Sequence, residues 1–331
     1  MRPRCYQQSG GKLTMSRNIS FLPVAVIFSL LVSCSGNGQE TNGKGISVHT
    51  GTFVVEGFPY PAIPVVLTSL DERKAWLLVH YWDNFDFTDT TLVNKRGITE
   101  QGLVNQLALL RAENVTQEEI VESINNLCTG MERQEHARRT FMRLMDDYLY
   151  DPNSPYYNEA LYAAYLQRML KSAVLEETGK GSLKFRLELI KRNAVGSKAT
   201  DFSYLLPGGQ QHTLWQTQVH GGKLLLVFYD PECPTCHKVL REMIMDKTLN
   251  ATVSKEEITI LAIYTEGDEN VWRKTLSEMP SGWIVGNDCQ MVKDSALYDL
   301  KAMPSIYLLN ENKQVILKDA AYSTVRQVLG L

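Results

Sequence analysis

The run Lys223–Asp230, KLLLVFYD, followed at once by PECPTCH, constrains the fold more than any other stretch of this chain. An unbroken apolar run of that kind suits a strand buried on both faces, which requires covering layers above and below it. The next residues, PTCHKVLREMIMDK, carry a helical apolar pattern. A buried strand therefore delivers Cys233 and Cys236 to the start of a helix. Cys-x-x-Cys-His has two incompatible meanings, attachment of a c-type haem or an active dithiol. The motif alone leaves both open.

The pattern beyond this run organises the rest. From Thr99 to about Ala194 the apolar residues recur at helical spacing. TEQGLVNQLALLRAE predicts a helix capped by Thr99, with Leu103, Leu107 and Leu110 on one face. Thr116 three residues before Glu119 predicts a capping box, and DPNSPYY (Asp151–Tyr157) is the clearest break. After Val195 the period changes. GSKATDFSYLLPGGQQHTL reads as strand, turn and strand, and EITILAIYT as another buried strand. ENVWRKTLSEM reads as a helix, PSIYLLNENKQVILKD as two strands joined at Asn310–Lys313, and STVRQVLGL as a terminal helix. Alternating β and α segments ending in a hairpin define an α/β domain, with a central mixed sheet flanked by helices. The boundary with the preceding, mainly α-helical domain falls near residue 195. No fixed-period repeat is present, which favours a helical bundle over a solenoid.

The chain has 331 residues, 44% hydrophobic and 21% charged, with a formal net charge of −3. That composition suits about two globular domains. The slight negative charge and the lack of a dense Lys/Arg block argue against nucleic acid as a partner. Six cysteines are too few to staple a chain of this length. Near the N-terminus, Arg17 precedes the apolar run Phe21–Val32, too short to span a bilayer but long enough for a signal-peptide core. Leu31-Val32-Ser33-Cys34 resembles the bacterial lipobox, in which the cysteine is lipidated and becomes the first mature residue. Residues 1–33 thus read as a signal peptide, with Met15 an alternative start that would make Cys5 irrelevant. Residues 34–48 read as a lipidated Gly/Asn-rich tether, 49–195 as the helical domain and 196–331 as the α/β domain. Lipidation implies a membrane anchor and a cell-envelope location facing the periplasm, with the outer membrane favoured over the inner. That compartment permits disulfides and is also where c-type haem is attached.

Three stretches in order resemble the thioredoxin-like family, specifically its membrane-tethered periplasmic thiol-disulfide oxidoreductases (the TlpA/ResA-like branch). They are GSKATDFSYLLPGGQQHTL, LLLVFYDPECPTC and ALYDLKAMPSIYLLNENKQVI. The resemblance implies a redox disulfide Cys233–Cys236 in which Cys233 is the attacking thiolate, favoured by a helix start, and Cys236 the resolving thiol. It implies that Pro304 is cis and forms the substrate platform. No cofactor and no metal is called for. The partners implied are protein thiols or disulfides and an upstream electron donor. Haem attachment uses no preceding buried strand, and Met243 and Met245 sit on the helix, where core packing is the default. A peroxiredoxin threonine three residues before the cysteine is missing, and a copper chaperone's longer cysteine spacing does not match.

The departures from the family matter. Glu232 stands where a tryptophan is common, Val227 where many thioredoxins carry a buried acid, and Val239 where some relatives carry a glutamate. Asp230 and Glu232 are candidates for tuning, since negative charge beside Cys233 disfavours its thiolate and moves the pair toward the reducing side. His237 is a third candidate, or a plain surface residue. Residues 50–195 resemble a domain of unknown function that accompanies thioredoxin modules in Bacteroidetes lipoproteins, the likeness resting on WLLVHYWDNFDF (Trp76–Phe87). Those aromatics suit either a docking surface or packing between the domains. Cys128, in a helical pattern, reads as a buried thiol, and Cys289, in a loop, as a candidate third redox cysteine. The expected function is thiol-disulfide exchange on envelope proteins, as a reductant. The alternative is a docking lipoprotein whose cysteine pair is a static disulfide.

Overall fold

The structure is a computed structural model that describes residues 57–331. The expected signal peptide, Cys34 and the tether lie outside the described residues. From Leu70 to Lys191 the chain is helical: α1 (Leu70–His80), α2 (Thr90–Asn94), α3 (Arg96–Leu110), α4 (Gln117–Met131), α5 (Glu135–Met145), a π-turn (Asp146–Tyr150), α6 (Glu159–Leu170) and α7 (Glu177–Lys191). The Thr116 box is present, with Thr116 Oγ1 accepting from Glu119 N–H and the Glu119 side chain accepting from Thr116 N–H. Helix α3 instead begins at Arg96. Thr99 is buried inside it, and its hydroxyl donates to the Leu92 carbonyl at 3.0 Å. Thr99 therefore does not cap α3: its hydroxyl bonds back to the preceding helix α2 instead of to the N–H groups that follow it.

The aromatics of Trp76–Phe87 correct both readings offered for them. Tyr81, Trp82, Phe85 and Phe87 are buried in the core of the helical half itself. Trp82 lies 5.2 Å from both Phe85 and Phe141 in edge-on contacts, and its indole N–H donates to Gln106 at 2.9 Å. Gln106 in turn donates to Ser123 Oγ at 2.9 Å, and the Tyr81 hydroxyl to the Gly102 carbonyl at 2.9 Å. Polar tips with partners let these rings bury fully, each contributing about 1.5–3 kcal/mol of apolar burial.

The second half is a seven-stranded mixed sheet ordered β2-β1-β5-β4-β3-β6-β7. Its strands are β1 (Ser203–Leu205), β2 (Gln211–Thr213), β3 (Lys223–Tyr229), β4 (Thr259–Tyr264), β5 (Ile284–Asn287), β6 (Ser305–Asn310) and β7 (Val315–Leu317). Helices α8 (Pro234–Met245), α9 (Lys247–Ser254), α10 (Glu269–Thr275), α11 (Met291–Asp294) and α12 (Tyr322–Leu329) complete it. β3 runs parallel to β4 and antiparallel to β6, and β4 runs parallel to β5. This is the expected mixed sheet flanked by helices. Leu225, Val227 and Tyr229 enter one core with α8 and α12, while Leu224, Leu226 and Phe228 enter the core on the opposite face. Burial on both faces is why the run is apolar without alternation. The short strand β5 was not expected. At four residues containing Gly286 it has no readable period, yet a Cβ there would stand 2.5 Å from the Tyr204 ring.

Residues 57–331 fall within one compact unit. The halves are joined by Arg192, which donates to the Ala296 carbonyl, and by Asn193, whose amide donates to the Leu297 carbonyl at 2.9 Å.

Candidate active site

β3 ends at Tyr229, and Asp230–Cys233 form a turn closed by Cys233 N–H donating to the Asp230 carbonyl at 3.1 Å. Cys233 is the N-cap of α8 and Pro234 its first residue. Proline suits that position because its fixed φ is already helical and its missing N–H would have had no partner. Cys233 therefore stands where the first-turn N–H groups lack intrahelical acceptors and negative charge is favoured. Its sulfur is half-buried and donates to the Met303 carbonyl at 3.8 Å.

Cys236, one turn further, is fully buried. Burial pushes its thiol up to about 12; the Asp230 N–H, which donates to its sulfur at 3.4 Å, pulls the other way, while Cys233 and the Asp230 carboxylate add to the rise. Both cysteines are free thiols in this structure. The two sulfurs thus differ sharply in access: one faces out at a helix start, and the other waits behind it, protonated.

Pro304 follows Met303 through a cis peptide bond and leads into β6, which pairs with β3 from Ser305↔Phe228 onward. The pairing of β3 with β6 is what brings the proline loop, far along the chain, against the dithiol. Of the tuning candidates, Asp230 bonds within its own turn, its carboxylate accepting from Glu232 N–H at 2.9 Å. Glu232 and His237 are exposed. His237 lines an open groove of about 730 Å³ with Tyr229, Pro231, Arg241, Met245 and Met279. Met243 is buried as expected, but Met245 is 73% exposed and does not pack in the core. Val227 is buried in the sheet and Val239 packs beside it, so neither position offers a proton.

Cys128 is a buried thiol of the helical core, raised to about 12 by burial, with Arg168 lowering and Glu132 raising it. Cys289 sits at a left-handed φ of 55°, its N–H donating to Asn287 Oδ1 at 2.8 Å, and is not among the free thiols. The reading of the residues missed the Met303 carbonyl, a backbone atom with no sequence signal of its own. It also missed the charged loop before it, Asp299–Lys301. Among the described residues no metal-binding cluster of His, Cys, Asp or Glu occurs, and no helix is long and apolar enough to cross a membrane.

A sheet of this order carrying Cys-x-x-Cys at the first turn of α8, opposite a cis proline, defines a thioredoxin-like protein. The chain belongs to the thioredoxin-like family. A thioredoxin-like protein from Bacteroides caccae is 36% identical, covering 83% of this chain and 99% of its own, with a TM-score of 0.73. The C-terminal domain of an uncharacterized Bacteroides fragilis protein is 32% identical over 42% of this chain and 99% of its own, TM-score 0.40. The thioredoxin domain of a thiol-disulfide oxidoreductase from Bacteroides vulgatus is 23% identical over 41% of this chain and 97% of its own, TM-score 0.34. Residues 33–193 match the model of a domain of unknown function, DUF5106. No curated protein matches the chain.

Proposed function

We propose that the protein exchanges disulfides with other proteins through Cys233 and Cys236. The observation that carries the reading is the asymmetry of the pair: an accessible sulfur at a helix start against the Met303 carbonyl, with a buried, protonated thiol one turn behind. The Cys233 thiolate attacks one sulfur of a substrate disulfide, forming a mixed disulfide and releasing one substrate thiolate. Cys236 then gives up its proton and attacks Cys233 Sγ, releasing the second substrate thiolate and leaving Cys233 and Cys236 joined. The substrate gains two electrons, and an upstream dithiol restores the pair. Pro304 and the loop before it would seat the substrate strand.

Replacing Cys236 by Ser should trap mixed disulfides visible on non-reducing gels, while Cys233→Ser should trap few. Equal trapping by both would contradict these roles, and trapping by neither would favour a static disulfide in a docking module.

We read the direction as reducing. Burial of Cys236 favours the protonated dithiol over the thiolate form that makes strong oxidants, and Asp230 adds negative charge to the same turn. A measured potential above about −180 mV, the level of protein disulfide isomerase, would reverse that reading. We further propose that Cys34 anchors the chain by lipid in the cell envelope, with the outer membrane favoured. Cys34→Ala should then move the protein from the membrane to the soluble periplasmic fraction.

A further inference from the structure

The loop that reaches the dithiol is held from the helical half. Three residues before Pro304, Lys301 is almost completely buried, its side chain 3% exposed. Its ammonium bonds the Glu159 carboxylate at the start of α6, the Asp299 carboxylate at 2.9 Å and the Tyr157 hydroxyl at 3.2 Å. It also lies 4.8 Å from the Tyr150 ring and 5.3 Å from the Tyr157 ring. Asp299 accepts from the Tyr150 hydroxyl at 3.0 Å. Glu159 binds a second ammonium from the sheet half, Lys318 at 2.9 Å. Tyr150 and Glu159 flank the Asp151–Asn158 break of the helical half and Tyr157 lies within it; Asp299 and Lys301 belong to the loop that ends at Met303 and Pro304. Burial alone would lower the Lys301 pKa, but Glu159 and Asp299 outweigh it and hold it well above the usual value.

We propose that Glu159 is a positioning residue for the redox site: through Lys301 it fixes the Asp299–Met303 loop, and with it the Met303 carbonyl beside Cys233 and the seat of the incoming substrate. This assigns the helical half a task in exchange chemistry, and it rests on the exchange reading above. A surface ion pair at this distance would carry little. Here Lys301 is buried and Glu159 is only 20% exposed, so removing the Glu159 charge leaves a desolvated ammonium with Asp299 as its one remaining carboxylate, and the loop should shift toward Asp299 or take in water. Displacements of about 1 Å in groups that orient a substrate cost up to ~100-fold in rate.

The test uses the full chain with Glu159→Gln, which keeps the shape and removes the charge. The first readout is turnover of a self-quenched disulfide-linked peptide with dithiothreitol as donor. KM for the peptide should rise about tenfold with kcat little changed, since the lost interaction orients substrate rather than supplying the thiol. The second is amide hydrogen exchange, which does not depend on catalysis: residues 299–305 should exchange faster while β3 and β4 keep wild-type protection. Tyr150→Phe, which removes only the hydroxyl on Asp299, should shift both readouts in the same direction by a few-fold, and serves where Glu159→Gln does not fold. Unchanged loop exchange with unchanged KM, or exchange rising equally across β3 and β4, would overturn the proposal. Wild-type protein unable to turn over the peptide would count against the exchange reading alone, with the loop readout still deciding the coupling.

Discussion

Cys236 and Cys128 share a thiol pushed up to about 12 by burial, whereas Cys233 sits half-exposed at a helix start. At pH 8 a thiol with a pKa near 12 is a thiolate about once in 10⁴, and the thiolate is the nucleophile. Iodoacetamide on the reduced protein should therefore label Cys233 first and leave Cys236 and Cys128 largely unmodified below about pH 10, as read by peptide mass mapping. Comparable labelling of Cys236 at pH 8 would mean the buried geometry does not persist in solution. A second buried group titrates with the opposite consequence for stability. Asp319 accepts from Ser305 Oγ at 2.7 Å, directly after Pro304, and its other oxygen has no partner. Burial raises its pKa; Ser305 and Lys301 pull the other way, and Glu159 and Asp299 push it further up. A carboxyl raised on folding contributes stability that is complete below its ordinary pKa and lost as the pH rises through the folded value. Asp319→Asn should therefore raise stability by about 1 kcal/mol at pH 7.5, where the wild-type charge is costly, and by little at pH 3.5. Thermal unfolding at the two pH values checks it, and a loss at pH 7.5 would show that the charge is needed.

Helix α4 shows how a close approach can outweigh propensity. Gly130 lies inside it, where alanine would ordinarily gain about 1 kcal/mol. A Cβ there would meet Phe87 Cε2 at 2.3 Å, and Phe87 is locked among Trp82, Phe85 and Phe141. Gly130→Ala should thus destabilise the protein by about 1–3 kcal/mol in denaturant unfolding, as overpacking does. A gain would mean that Phe87 can leave its site. The glycine is an interior contact between α4 and the aromatic segment after α1, not a turn residue.

The two halves share the buried ions of Glu159, Lys301, Asp299 and Lys318. Separating them would break both Glu159 pairings, with Lys318 and with Lys301, and leave Lys301 with Asp299 alone, so residues 57–331 should unfold in one calorimetric transition. Two well-separated transitions would show that the junction contributes little. Much of this molecule is legible locally. The run KLLLVFYD, the dithiol at a helix start, the Thr116 box and the hairpin around Asn310–Lys313 each depend on residues a few positions apart, and each forms where expected. Cys-x-x-Cys and the strand before it sufficed to place the two cysteines at a helix start, because a helix start and a buried strand are written in nearest neighbours. The aromatics of Trp76–Phe87 were ambiguous, because a ring exposed for docking and a ring buried in a core have the same sequence. Strand β5 escaped because Ile284–Asn287 takes its identity from β4 and β1 on either side. Nothing near Lys301 announces Glu159, which lies 142 positions away. Burial and long-range charge pairing are properties of the packed chain, and only folding brings their partners within range.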